Sequence, residues 1–289
     1  MNETGKQTAI CGDVKTGVLL LHGLTGAPSE MRPVAKSLTQ MGCIVEAPLL
    51  PGHGSSHKAL LATGWKDWVA GAQASLDELA SKCDHVVVGG LSMGALLSVM
   101  CALKQPKVSG VVMMSTTLRY DGKASSRLQI LLPLVDWVPF LGAHTYWTEE
   151  PPYGLKDERL QRMITKQVEA AARGENTDFG LFRTYSGSLR QLHKLVREIR
   201  KVAHQVKVPS LVIHSLEDSM TTYKNGLEMV NLIGSEDKTL LLLGGCDHVL
   251  TLDLRKKKVC QEIGAFVIEQ SWRVAAKQSA KNQAEPVAI

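Results

Sequence analysis

The chain has 289 residues, 44% hydrophobic and 21% charged, with 33 Lys and Arg against 28 Asp and Glu. That length and balance describe a globular protein with one large core and room for an inserted subdomain, and exclude a disordered or fibrous chain. The formal net charge of +5 is spread along the sequence. Its densest basic run, RKKK at 255–258, reads as a solvated helix face. Without a basic patch interleaved with aromatics, nucleic acid is not an expected partner.

Residues 1–17 are polar, and no run reaches the roughly 20 apolar residues of a membrane span. Neither a secretory leader nor a spanning helix is expected. The six cysteines form no CxxC pair and no metal-ligand spacing. They read as free thiols in a reducing cytoplasm, with no metal and no organic cofactor expected.

In chain order, GVLLL at 17–21 is a continuous apolar run stopped by His22 and Gly23, the pattern of a strand buried on both faces. Residues 30–41 have helical spacing, with Met31, Val34, Ala35 and Leu38 on one face and Gly42 at the end. A short strand at 43–47, a helix at 65–81, a strand at 86–88, a helix at 94–103 and a strand at 108–114 follow. The alternation resumes with SLVIH at 210–214 and TLLLL at 239–243, and a helix at 263–272 closes it. Strands alternating with helices predict a mostly parallel central sheet flanked by helices.

The region between has almost no β-branched runs. It carries helical spacing around 158–173 and 188–204. The expected organisation is therefore a core in two parts, 1–117 and 206–272, a helical cap insertion at 118–205, and a frayed tail at 273–289.

GLSMG at 90–94 is a G-x-S-x-G match between a strand and a helix. A hydroxyl attacks a carbonyl well when it is exposed, deprotonated as it attacks, and close to donors for the developing oxyanion. A sharp strand-to-helix turn exposes the hydroxyl, leaves little room for flanking side chains, and aims a helix N-terminus at the reacting centre. Ser92 is thus the candidate nucleophile. HGLTG at 22–26, directly after the first buried run, can present a second amide. The candidate oxyanion donors are the N–H groups of Met93 and Leu24. Alone, HGLTG reads as an ordinary tight turn.

Nine histidines compete for the role of base. His248 follows the last predicted strand, at the strand end where a parallel sheet places its ligands. His53 and His57 lie in a loop, His85 at the wrong end of a strand, and His144, His193 and His204 in the insertion. His214 reads as buried in a strand, and His22 is placed to stabilise the oxyanion loop by hydrogen bonding. Asp218, one strand-helix unit before His248, is the candidate acid; Glu217 is its near rival. Asp247 adjoins His248, and adjacent residues rarely face each other. The order Ser, Asp, His is that of an α/β-hydrolase fold.

Taken together, LLLHGLTG, PLLPGHG, GGLSMGA, HSLEDSM and CDHVLTLD make the chain similar to the bacterial carboxylesterase and monoacylglycerol lipase branch of the α/β-hydrolases, over about residues 17–270. The resemblance implies nucleophile Ser92, acid Asp218, base His248, oxyanion amides from Leu24 and Met93, and a helical cap that shapes the acyl pocket. The chain departs from it at Gly94-Ala95, where many relatives have two glycines, and in a longer cap holding Trp137, Phe140, Tyr146 and Trp147. Those aromatics serve as cap core or as an acyl-binding or membrane-touching surface.

The leading expectation is hydrolysis of a small-molecule acyl ester of moderate chain length through an acyl-enzyme; transient membrane or lipid contact through the cap is left open. A thioesterase or acyltransferase would use the same three residues. A non-catalytic receptor on the same fold is the alternative of another class. The oligomeric state is left open.

Overall fold

The computed structural model describes residues 14–54, 56–123, 144–173 and 181–284. Trp137 and Phe140 lie outside the described residues. The strands are Thr16–Leu21 (β1), Ile44–Glu46 (β2), His85–Leu91 (β3), Val108–Met114 (β4), Tyr146–Thr148 (β5), Arg183–Tyr185 (β6), Ser210–Ser215 (β7) and Lys238–Leu243 (β8). The helices are Arg32–Gln40 (α1), His57–Leu61 (α2), Trp65–Lys82 (α3), Met93–Ala102 (α4), Glu158–Ala172 (α5), Ser186–Val202 (α6), Lys224–Leu232 (α7) and Lys256–Ala284 (α8).

Six strands form one sheet in the order β2-β1-β3-β4-β7-β8, and every neighbouring pair is parallel. The apolar runs explain why. Along β1, Leu19 and Leu21 enter one buried cluster while Val18 and Leu20 enter the other. In β3, Val86 and Val88 face the first cluster and Val87 the second; in β4, Val111 and Met113 face the first, Val112 and Met114 the second. A period of two in a continuously apolar strand covers both faces of a sheet, so helices must cover both. Trp68 and Leu76 of α3, Leu96 of α4 and Leu192 of α6 close the first face. Val34 and Leu38 of α1 with Val259, Ile263 and Val267 of α8 close the second.

Strand order reverses direction at β1, which feeds β2 on one side and lies beside β3 on the other. Ligands in such sheets bind outside the carboxyl ends of the strands, at that switch point. The loops after β1, β3, β4, β7 and β8 therefore converge on one edge.

The structure departs from the sequence reading in several places. His57, expected in a loop, opens α2, and α7 is not among the expected helices. The helix expected at 30–41 begins as a 3-10 turn at Pro28–Met31 before α1. The closing helix expected at 263–272 spans Lys256–Ala284, so residues 274–284, read as part of a frayed tail, are its last turns. That stretch is rich in Ala, Lys and Gln, which favour helix without giving an apolar period to read. The region 118–205, expected to be mostly helical, also holds an antiparallel pair, β5 with β6. Strands of three residues are too short to show alternation.

Within 118–205 the described residues do two different things. Leu155, Ile164 and Phe182 form a small cluster of their own. Leu189, Leu192, Leu195, Val196 and Ile199 of α6 instead join the main cluster under the sheet. Among the described residues no helix is long and apolar enough to cross a membrane.

Candidate active site

Ser92 stands between β3 and α4 with φ 57° and ψ −113°. A left-handed φ at a non-glycine costs about 1–3 kcal/mol and persists only where the surroundings enforce it. They do so here through two glycines. A Cβ on Gly90 would lie 2.1 Å from the Gly94 carbonyl carbon, and one on Gly94 would lie 2.1 Å from the Leu21 carbonyl oxygen. The turn is tight because the start of α4 presses on the ends of both β3 and β1. Ser92 Oγ is 2.8 Å from Thr117 Oγ1, and Thr117 Oγ1 donates to the Ser115 carbonyl at 3.2 Å. The threonine has one hydrogen, so the Ser92 hydroxyl donates to it.

His248 and Asp218 come from the loops after β8 and β7. His248 Nδ1 lies 2.9 Å from Asp218 Oδ2. Asp218 Oδ1 accepts from the N–H groups of Met220 at 2.9 Å and Thr221 at 2.7 Å. Burial works against the charge on this carboxylate, yet the neighbouring His248 and the bonds from His214 and His248 hold it below the usual range. An ionised carboxylate only accepts, so His248 Nδ1 carries hydrogen and Nε2 is the basic nitrogen. Burial likewise pulls His248 down, but the charge of Asp218, its hydrogen bond, and the charges of Asp247 and Glu30 together carry the imidazole above its ordinary value.

The rival acids point elsewhere. Glu217 pairs with Lys156 and accepts from Gly245 N–H at 2.7 Å. Asp247 accepts from Ser219 N–H at 2.7 Å and Ser219 Oγ at 2.8 Å, tying the two loops together. The rival bases also lie elsewhere. His85 bonds Thr16 and Ser109 at the amino end of β3, and His53 bonds the carbonyls of Pro51 and Leu24. His57 packs beside the Tyr185 ring.

Ser92 and His248 line one cavity of about 90 Å³ together with Gly23, Leu24, Glu30 and Glu149. His22 fixes the local backbone. Its Nε2 accepts from Leu50 N–H at 3.2 Å, so Nδ1 donates to the Gly23 carbonyl at 2.9 Å. Burial and the adjacent His53 lower His22 to about 3, keeping it neutral. The Gly23 carbonyl and the Leu24 N–H belong to one planar trans peptide, so holding the oxygen aims the amide the opposite way. Met93, the other expected donor, is the first residue of α4.

Three site features escaped the sequence reading: Thr117 beside the serine, His214 beside Asp218, and the carboxyl groups of Glu30 and Glu149. Gly23 N–H donates to Glu30 Oε2 at 3.1 Å, and Thr25 Oγ1 donates to Glu149 Oε1 at 2.7 Å. Burial pushes Glu30 up to about 7, opposed by the Gly23 bond and assisted by Glu149; burial raises Glu149 as well. PSEM, a 3-10 turn, and TEEPP carry no distinguishing motif, and only the fold brings them to one cavity.

The family described as serine aminopeptidase, S33, matches residues 12–255. The thermostable monoacylglycerol lipase of a Bacillus species is 28% identical over 269 residues, 91% of each chain. A Bacillus subtilis carboxylesterase is 24% identical, covering 88% of this chain and 93% of its own. Among solved structures, a metagenome-derived lipolytic enzyme superposes with a TM-score of 0.72 at 27% identity, over 89% of this chain and 94% of its own. A monoglyceride lipase of Saccharomyces cerevisiae, with a TM-score of 0.75 at 16% identity over 89% and 87%, shares the fold.

Proposed function

Because the chain belongs to the serine aminopeptidase S33 family of α/β-hydrolases, we propose that it is a carboxylic ester hydrolase acting through an acyl-enzyme on Ser92, with a monoacylglycerol as the substrate to test first. The observation that carries the reading is the 2.9 Å bond between His248 Nδ1 and Asp218 Oδ2 behind the cavity that Ser92 lines. With Nδ1 engaged, Nε2 takes the proton of Ser92 as Oγ attacks the ester carbonyl. The imidazolium so formed is stabilised by Asp218 and returns the proton to the leaving alcohol. Water, deprotonated by the same nitrogen, then releases the acid. The tetrahedral oxyanion is received by the N–H groups of Met93 and Leu24, the second oriented by His22.

A larger cavity of about 400 Å³, lined by Trp147, Pro151, Pro152, Tyr153 and Met220, shares Trp147, Glu149, Tyr153 and Met220 with the first. It lies within the size range of small-molecule sites. We assign it to the acyl chain, and the region 118–205 to a cap that sets chain length. The exposed side chains of Tyr146 and Met163 support a reading in which that cap makes transient lipid contact. The homologous monoacylglycerol lipase and carboxylesterase favour an ester over a thioester.

The test is turnover of p-nitrophenyl esters and monoacylglycerols by the purified protein, with fluorophosphonate labelling in parallel. The wild type hydrolyses and is labelled at Ser92, and Ser92→Ala does neither. Full turnover by the alanine variant would overturn the assignment.

A further inference from the structure

Asp218 is shared by two histidines. Besides His248, His214 of β7 places Nε2 3.2 Å from Asp218 Oδ2 and 2.9 Å from the Thr221 carbonyl, and the side chains of His214 and Asp218 are fully buried. Both neighbours accept, so Nε2 carries the hydrogen, which bonds the Thr221 carbonyl and stays within ion-pair reach of Asp218 Oδ2. The other ring nitrogen, Nδ1, is buried without a partner among the described residues. The backbone of α7 closes over it, since a Cβ on Gly226 would lie 3.1 Å from that atom. A buried histidine that leaves one nitrogen unused to present the other to a carboxylate is not explained by packing alone.

We propose that His214 is a positioning residue for the acid of the catalytic set. The donors to Asp218 differ in origin. Met220 N–H, Thr221 N–H and Thr221 Oγ1 belong to the loop that carries Asp218 and move with it. His214 stands on β7, inside the sheet between β4 and β8. It holds both Asp218 and the Thr221 carbonyl, so it anchors that loop to the rigid scaffold and keeps Oδ2 turned toward His248. A reacting geometry is reproducible when its supports stand on regular elements and not on the loop itself. The titratable groups around the pair are His248 and Asp247 from the loop after β8, Glu30 facing His248, and the buried Tyr120 phenol beside Asp218.

The inference rests on the Ser92, His248 and Asp218 reading, and the experiment separates the two. Wild type, His214→Val, His214→Asn and His214→Gln are purified and titrated with a fluorophosphonate. Ester turnover is then followed across pH. The valine variant is expected to lose about tenfold in kcat with KM unchanged. Its acid limb should move to lower pH, because a less firmly held carboxylate supports the imidazolium less. Glutamine, which places an N–H near the Nε2 position, should recover most of the rate, and asparagine, a methylene shorter, should not. If the valine variant fails to fold, the asparagine–glutamine difference still decides. Wild-type kcat and an unshifted limb in the valine variant would overturn the proposal, as would equal rates for asparagine and glutamine. An unlabelled wild type would instead overturn the triad on which it rests.

Discussion

Ser92 Oγ and Thr117 Oγ1 lie 2.8 Å apart, so the loop after β4 holds the hydroxyl that, in the proposed mechanism, His248 of the loop after β8 deprotonates. Thr117 is buried, and its own hydrogen is committed to the Ser115 carbonyl. For attack, the Ser92 hydrogen has to turn from Thr117 to His248 Nε2. Thr117→Val removes that competing acceptor. The expected outcome is faster fluorophosphonate labelling, by about 2- to 10-fold, the equivalent of a hydrogen bond of roughly 0.5–1.5 kcal/mol. Slower labelling would show that the threonine assists attack.

Asp218→Asn tests the histidine tautomer. Asparagine fits the same space but can donate to Nδ1, which leaves the hydrogen on Nε2, where it blocks proton transfer. A loss of roughly 10⁴-fold in kcat follows by analogy with the serine protease triad. The sign of the pH effect is fixed by the charges. Asp218 raises His248 in the folded protein, so activity requires pH above that raised value, and loss of the carboxylate moves the acid limb downward. A variant that keeps the wild-type acid limb would contradict this pairing.

Glu30→Gln tests the carboxyl groups in the cavity wall. Burial raises Glu30 to about 7, so the folded state binds a proton that the unfolded state releases near the ordinary carboxylate value. The stabilisation is present below the unfolded value and is lost as pH rises through about 7. Glutamine cannot ionise, so the Tm of the variant should pull ahead of wild type between about pH 5 and pH 8. A Tm difference that is flat across that range would rule the shift out. The glutamine variant should also show a lower acid limb in kcat/KM, because Glu30 is one of the charges that raise His248.

Gly94→Ala tests the packing of the turn. The added carbon would lie 2.1 Å from the Leu21 carbonyl oxygen, a backbone atom at the end of β1 that the sheet holds in place. A loss of at least about 1–3 kcal/mol in urea denaturation is expected, with loss of labelling at Ser92. An unchanged midpoint would mean that the turn is looser than this contact requires.

The sequence made the sheet legible because most of its strands carry continuous apolar runs. GVLLL and SLVIH can only be strands with both faces covered, and 108–114 was placed to the residue. The same reading failed where apolar periodicity is weak, in the three-residue strands β5 and β6 and in the polar last turns of α8.

By itself the sequence determined the kinds of residues and their order: a serine in a glycine-flanked turn, then an aspartate, then a histidine, each after a buried run. It preferred Asp218 as the acid but kept the adjoining Glu217 as a near rival. Tertiary structure separates the two, because the turn after β7 sends Glu217 to Lys156 and Gly245 while Asp218 faces His248. Nor could it reveal that His214 leans on Asp218, that Thr117 holds Ser92, or that Glu30 and Glu149 share the cavity. Periodicity reports which face of an element is apolar, whereas these contacts join side chains from separate loops, and only the parallel stacking of the strands brings those loops to one edge.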